Sequence, residues 1–134
     1  MPRNCEQIKV SKDRTRAIFI DVENKKEILE YLRRSEKHRK KFEYIIGLIL
    51  ENIRNTEVYD KEDINDKCKD VTAMKFFKNG SNDRIYCKEV RSDLGCYVVI
   101  MGILHEKKKT QKNSAREIAR INAIGSYEYL PTLK

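Results

Sequence analysis

Apolar positions along this chain change period twice. Residues 15–20 (T-R-A-I-F-I) are β-branched and aromatic, which predicts a strand. The next stretch turns helical: Ile28, Leu29 and Leu32 share one face, and Asn24 with Glu27 has the spacing of a capping box. Residues 33–41 form a charged junction. Beyond it Phe42, Ile45, Ile46, Ile49 and Ile53 recur at helical spacing, so two helices joined by a short link are expected to make a hairpin with one apolar side. Residues 55–70 are polar and aperiodic, which predicts a loop or a short helical turn.

From Val71 the period becomes two. Residues 71–77, 84–90 and 96–104 read as three strands separated by the turns K-N-G-S-N-D and R-S-D-L-G. The last of them is apolar on both faces, the mark of a central strand. Ser114 and Glu117 form a second capping-box pair, opening a helix expected to turn Ile118, Ile121 and Ile124 inward. The predicted order is β-α-α-β-β-β-α. The expectation is one α+β domain over residues 1–134, with residues 1–14 a loose arm. It has an antiparallel sheet of about four strands, an N-terminal helix pair and a C-terminal helix, all packed on one face of the sheet.

Charge narrows the range of partners. Of 134 residues 37% are charged and 40% hydrophobic, too apolar and too patterned for a disordered chain. The formal net charge of +8 favours phosphate-rich or acidic partners. No apolar run approaches the roughly 20 residues a membrane span requires, and residues 1–12 have no apolar signal-like core, so a cytoplasmic chain with no membrane partner is expected. Cys5, Cys68, Cys87 and Cys96 show no C-x-x-C spacing, and only two histidines are present, which argues against zinc. Acids at Asp60, Glu62 and Asp63 are interleaved with Lys61 in a loop and make no metal site. No metal and no cofactor are expected. Cys87 and Cys96 flank a turn, where a cross-strand contact is possible; in a reducing compartment free thiols are the simpler reading.

The strings I-Y-C-K-E-V at 85–90, V-V-I-M-G-I-L at 98–104 and K-K-K-T-Q-K at 107–112, followed by Ser114 and Glu117-Ile118, resemble the RelE/HigB-type toxins of bacterial toxin–antitoxin systems. The resemblance covers about half of the chain, from Val71 onward. It implies a ribosome-dependent endoribonuclease that cuts mRNA in the ribosomal A site and is neutralised by a cognate helix-turn-helix antitoxin. Members of this fold that poison gyrase, bind RNA without cutting it, or are inactive phage-derived forms define the alternative.

Metal-free RNA cleavage by 2′-OH attack requires a base, cationic donors around the in-line phosphorane and an acid for the leaving 5′-oxygen. His105, one residue past the central strand, is the natural titrating group; His38 reads as solvated. Lys107, Lys108, Lys109 and Lys112 follow a stiff strand and are candidates to clamp phosphates, with one or two facing any given phosphate. Arg84, Tyr86 and Lys88 share a face of the preceding strand, and Lys75 extends it. These groups are expected to converge with His105 on one concave surface. Arg116 and Arg120 are candidates to touch RNA from the final helix. The resemblance adds an aromatic group near the C-terminus, with Tyr127 the candidate. The assignment of base and acid among His105, Lys107 and Tyr127 stays open, and Arg84 completes the catalytic set.

Overall fold

The computed structural model describes residues 2–62, 64–108 and 113–134. Chain order is β1 (Cys5–Val10), β2 (Arg16–Asp21), α1 (Lys25–Leu32), α2 (Glu36–Leu50), β3 (Tyr59–Lys61), a 3-10 turn (Asp66–Cys68), β4 (Val71–Phe76), β5 (Asp83–Arg91), β6 (Tyr97–His105) and α3 (Ala115–Ser126). The class is α+β, but the sheet has six strands in the order β1-β2-β6-β5-β4-β3, and it is mixed. This corrects the expected antiparallel sheet of about four strands. β2 runs parallel to β6, and the intervening helices and strands form the long crossover that a parallel pair requires.

The two extra strands lie at the sheet's edges. β1 occupies residues read as a loose arm, paired antiparallel with β2. Its Glu6 and Lys9 give it the polar outer surface that suits an edge strand and hides it from a hydrophobicity pattern. The arm is also tied down by charge: buried Asp21 accepts from Arg3 Nε at 2.7 Å and from the Tyr129 hydroxyl at 2.6 Å, joining both ends of the chain to β2. β3 has three residues, too few to show a period.

Both faces of the sheet are covered, which corrects the one-face packing. On one side Ile18, Ile20, Val99 and Met101 meet Ile28, Leu32, Ile45 and Ile49 of α1 and α2. On the other, Ala17, Phe19, Val98 and Ile100 meet Tyr129, while Val71, Ala73 and Tyr86 meet Ile121 and Ile124 of α3. Each fully buried Val, Ile, Leu, Met or Phe side chain among these contributes about 1.5–3 kcal/mol. A β-bulge at Gly102 lets α3 come close: a Cβ there would lie 2.2 Å from Ile124 Cδ1.

Helix boundaries differ in two informative places. Asn24 does not cap α1; its side-chain amide donates to the Gly102 carbonyl at 2.8 Å, pinning the helix start to β6. α2 begins inside the charged junction, because Ser35 caps it by accepting from the His38 backbone N–H. At α3 the Ser114–Glu117 capping box forms, with Ile121 and Ile124 buried, but Ile118 is exposed and Glu117 takes the inward position. Cys87 and Cys96 are free thiols in clusters on opposite faces.

Candidate functional site

β6 ends at His105, directly opposite Arg84 of β5 and beneath the first turns of α3. The capping box fixes the position of Glu117, and that carboxylate gathers its neighbours. Glu117 Oε2 lies 3.5 Å from Lys108 Nζ and accepts from the Tyr86 hydroxyl at 3.3 Å; Oε1 lies 3.8 Å from His105 Nε2. Lys108 also donates to Asn113 at 2.7 Å. All four side chains are buried. Desolvation opposes the charge on Glu117, but the Ser114 donors, Lys108 and His105 outweigh it and lower the carboxyl pKa. Burial raises the Tyr86 pKa far above its ordinary value, so this phenol is a fixed donor.

The imidazole of His105 is held at Nδ1, with Nε2 turned toward Glu117. Arg120 Nη1 donates to the Leu104 carbonyl at 2.8 Å and lies 2.9 Å from His105 Nδ1. A guanidinium can only donate, so Nδ1 supplies the lone pair and the proton resides on Nε2, toward Glu117. Burial lowers the His105 pKa, with Arg120, Arg116 and Lys108 acting in the same direction against Glu117. The ring is therefore neutral near pH 7 and its one basic lone pair is occupied.

Above this buried cluster a hollow of about 560 Å³ opens to solvent, lined by Arg34, His105, Lys107, Arg116 and Arg120, with carboxylates at Glu27 and Glu106. Four cations thus face two acids. Arg34 is bridged to Glu106 at 2.5 Å and Arg120 is spent on the strand end. Among the described residues, Lys107 and Arg116 are exposed cations of the hollow with no ion-pair partner, free to meet an anion.

The predicted site residues divide accordingly. His105, Lys107 and Arg116 come together around the hollow. Arg84, Tyr86 and Lys108 lie beneath it, buried. Among the described residues Arg84 Nε and Nη1 find no hydrogen-bond partner, a costly arrangement for a buried guanidinium. Lys88 points elsewhere: its ammonium donates to the Gly125 carbonyl at 3.0 Å and also to the Tyr127 carbonyl, holding the C-terminal end of α3. Lys75 donates to the Thr56 carbonyl at 3.0 Å and secures the segment before β3. Tyr127 lies under the Arg3 guanidinium at 3.9 Å, at the far end of α3 from Glu117, about 15 Å along the axis. Lys109 and Lys112 lie outside the described residues. The expected convergence of Arg84, Tyr86, Lys88 and Lys75 with His105 on one concave surface therefore does not occur: Arg84 and Tyr86 are buried beneath the hollow, and Lys88 and Lys75 are tied to other segments.

Two participants were not singled out from the sequence as part of this site: Glu117, read only as a cap, and Arg34, read only as part of a charge run. The signals were present as spacings. Glu117 and Arg120 are three apart and share a helical face.

Comparison with protein-family models, with curated proteins and with solved structures gives no match. Among the described residues, no helix is long and apolar enough to cross a membrane.

Proposed function

We propose that this chain is the toxin of a toxin–antitoxin pair, an endoribonuclease that cuts mRNA on the ribosome by 2′-OH attack without a metal, and that a helix-turn-helix antitoxin holds it in check. The observation that carries this reading is the cationic hollow at the end of β6. It opens where the Lys107–Lys112 string begins, and its unpaired Lys107 and Arg116 suit a phosphodiester. Charge stabilisation of the phosphorane is the step these groups serve best. Below them the Glu117 cluster holds the strand end and the first turns of α3 in fixed relation, so that Lys107 and Arg116 are presented together.

A specific observation favours a second reading, in which the chain binds a polyanion without cutting it. The Nδ1 lone pair of His105 is taken by Arg120, so the residue best placed by sequence to act as a base has no free lone pair. Primer extension on mRNA after induction separates the two. The nuclease reading expects growth arrest with discrete new 5′ ends, both lost in Lys107→Ala/Arg116→Ala. Arrest with intact mRNA supports binding alone. No arrest and no cuts by the unaltered chain removes the toxin reading.

A further inference from the structure

We propose that His38 accepts the 2′-hydroxyl proton, in a second hollow that continues from the cationic one; this rests on the RNA-cleaving reading above. The second hollow, about 310 Å³, is lined by His38, Phe77 and Ser81 together with Arg34, Glu106 and Lys107. The last three also line the cationic hollow, so the two form one path past the Arg34–Glu106 bridge.

The His38 ring is held and yet has an open nitrogen. Its Nδ1 lies 2.7 Å from Ser35 Oγ, the cap of α2. Its ring meets Tyr31 and Phe77 edge-on, with centroids 4.8 Å away in both cases. Nε2 has no partner among the described residues, and in the tautomer whose Nδ1–H donates to Ser35 Oγ it carries the free lone pair. His105 is the reverse case, with its lone pair occupied by Arg120.

Among the described residues, three of the five left-handed non-glycine positions lie at the same corner. Phe77, Asn82 and Lys107 adopt left-handed φ values of 54°, 52° and 61°. Phe77 and Lys107 line the hollow, and Asn82 joins them: its N–H donates to the Phe77 carbonyl and its carbonyl accepts from the Lys108 N–H. Asp83 holds the arrangement by accepting from the Lys107 N–H at 2.7 Å and from the Tyr31 hydroxyl at 2.6 Å. Strain kept in place this way concentrates at working sites.

In the step proposed, the 2′-oxygen forms a bond to phosphorus as its proton passes to His38 Nε2. The P–O5′ bond breaks, and the leaving oxygen takes a proton from the Lys107 ammonium or from water. The products are a 2′,3′-cyclic phosphate and a 5′-hydroxyl. The charged and titratable groups facing His38 are Arg34 and Tyr31 from α1 and the link after it, Lys37 on α2, Asp83 of β5, and Glu106 and Lys107 beyond β6. Burial and Arg34 lower the imidazole pKa against Asp83 and Glu106, which keeps a lone pair available near pH 7.

The test is single-turnover cleavage of ribosome-bound mRNA between pH 5 and 8, with affinity for an all-deoxy oligonucleotide and thermal melting measured alongside. His38→Gln is expected to lose about 100-fold or more in rate and to flatten the rise with pH, while deoxy affinity stays within about twofold. His105→Gln is expected to lose less than about tenfold and to keep the rise. Should His38→Gln melt early, Ser35→Ala carries the test: removing the Nδ1 partner moves the midpoint of the rise. A rise that persists in His38→Gln, or is lost in His105→Gln instead, or a midpoint unmoved in Ser35→Ala, overturns the assignment alone. Cleavage absent in the unaltered chain overturns the parent reading and this one with it.

Discussion

The two faces of the sheet are held by different forces. Against α1 and α2 the contacts are chiefly aliphatic and aromatic, with Ile18, Ile20, Met74, Phe76 and Tyr31 fully buried. Against the first half of α3 they are polar: His105, Tyr86 and Lys108 sit around one carboxylate, and only Ile121 and Ile124 bring buried apolar bulk from the helix. Hydrophobic burial is non-directional and tolerates salt and pH, whereas a buried charge cluster depends on every partner being present in the right protonation state. The α1/α2 face is thus a scaffold. The α3 face sets the orientation of the strand end that lines the cationic hollow.

The largest expected effect lies on the scaffold side. Phe76→Ala empties a site packed edge-on against Tyr31 and should cost about 3–5 kcal/mol in urea unfolding. Glu117→Ala comes next, at about 3 kcal/mol, since it strands Lys108 and opens the cap of α3. The comparison sharpens in how these losses respond to solvent: the Phe76→Ala deficit should be flat between pH 5 and 8, and the Glu117→Ala deficit should not.

Acid should act on the polar cluster in a definite direction. His105 has a folded pKa below its ordinary 6.5, so the unfolded chain takes up a proton first. Its contribution is intact above about pH 6.5 and declines as pH falls from there through the folded value. Glu117, also lowered, extends the decline: its contribution is present above its ordinary 4.5 and is lost as pH falls through its folded value. His38 shifts in the same direction as His105. His105→Gln should therefore flatten part of the stability loss between pH 6.5 and 5, measured by urea melts, while the loss below the ordinary carboxylate range persists because Ser114 and Lys108 still hold Glu117 low.

Legibility followed the same division. β6 could be read because Val98 to Met101 are apolar at every position, and that pattern already demanded cover on both sides; placing all helices on one face overlooked it. Its neighbours could not be read, because a period of two says which side chains share a face and nothing about which strand lies alongside. β1 escaped because an edge strand with Glu6 and Lys9 has no clean alternation. The start of α2 was masked by the run of charges from Arg33 to Lys41, within which Ser35 is a cap. Lys88 and Lys75 were legible as cations on a sheet, but their carbonyl partners come from distant segments. His38 lay in plain sight, and only the fold puts it beside Phe77 and Lys107.

Under the proposed function, the position of charge in the hollow, and not net charge, recruits RNA. The most direct measurement is the salt dependence of binding to a single-stranded RNA, comparing Lys107→Ala/Arg116→Ala with Lys40→Ala/Lys41→Ala on α2. Both double variants remove the same formal charge. The account predicts that the first lowers the slope of log affinity against log salt by about 1.4, two phosphate contacts' worth, and that the second leaves it within about 0.3 of the unaltered chain. Equal changes in the two would contradict it.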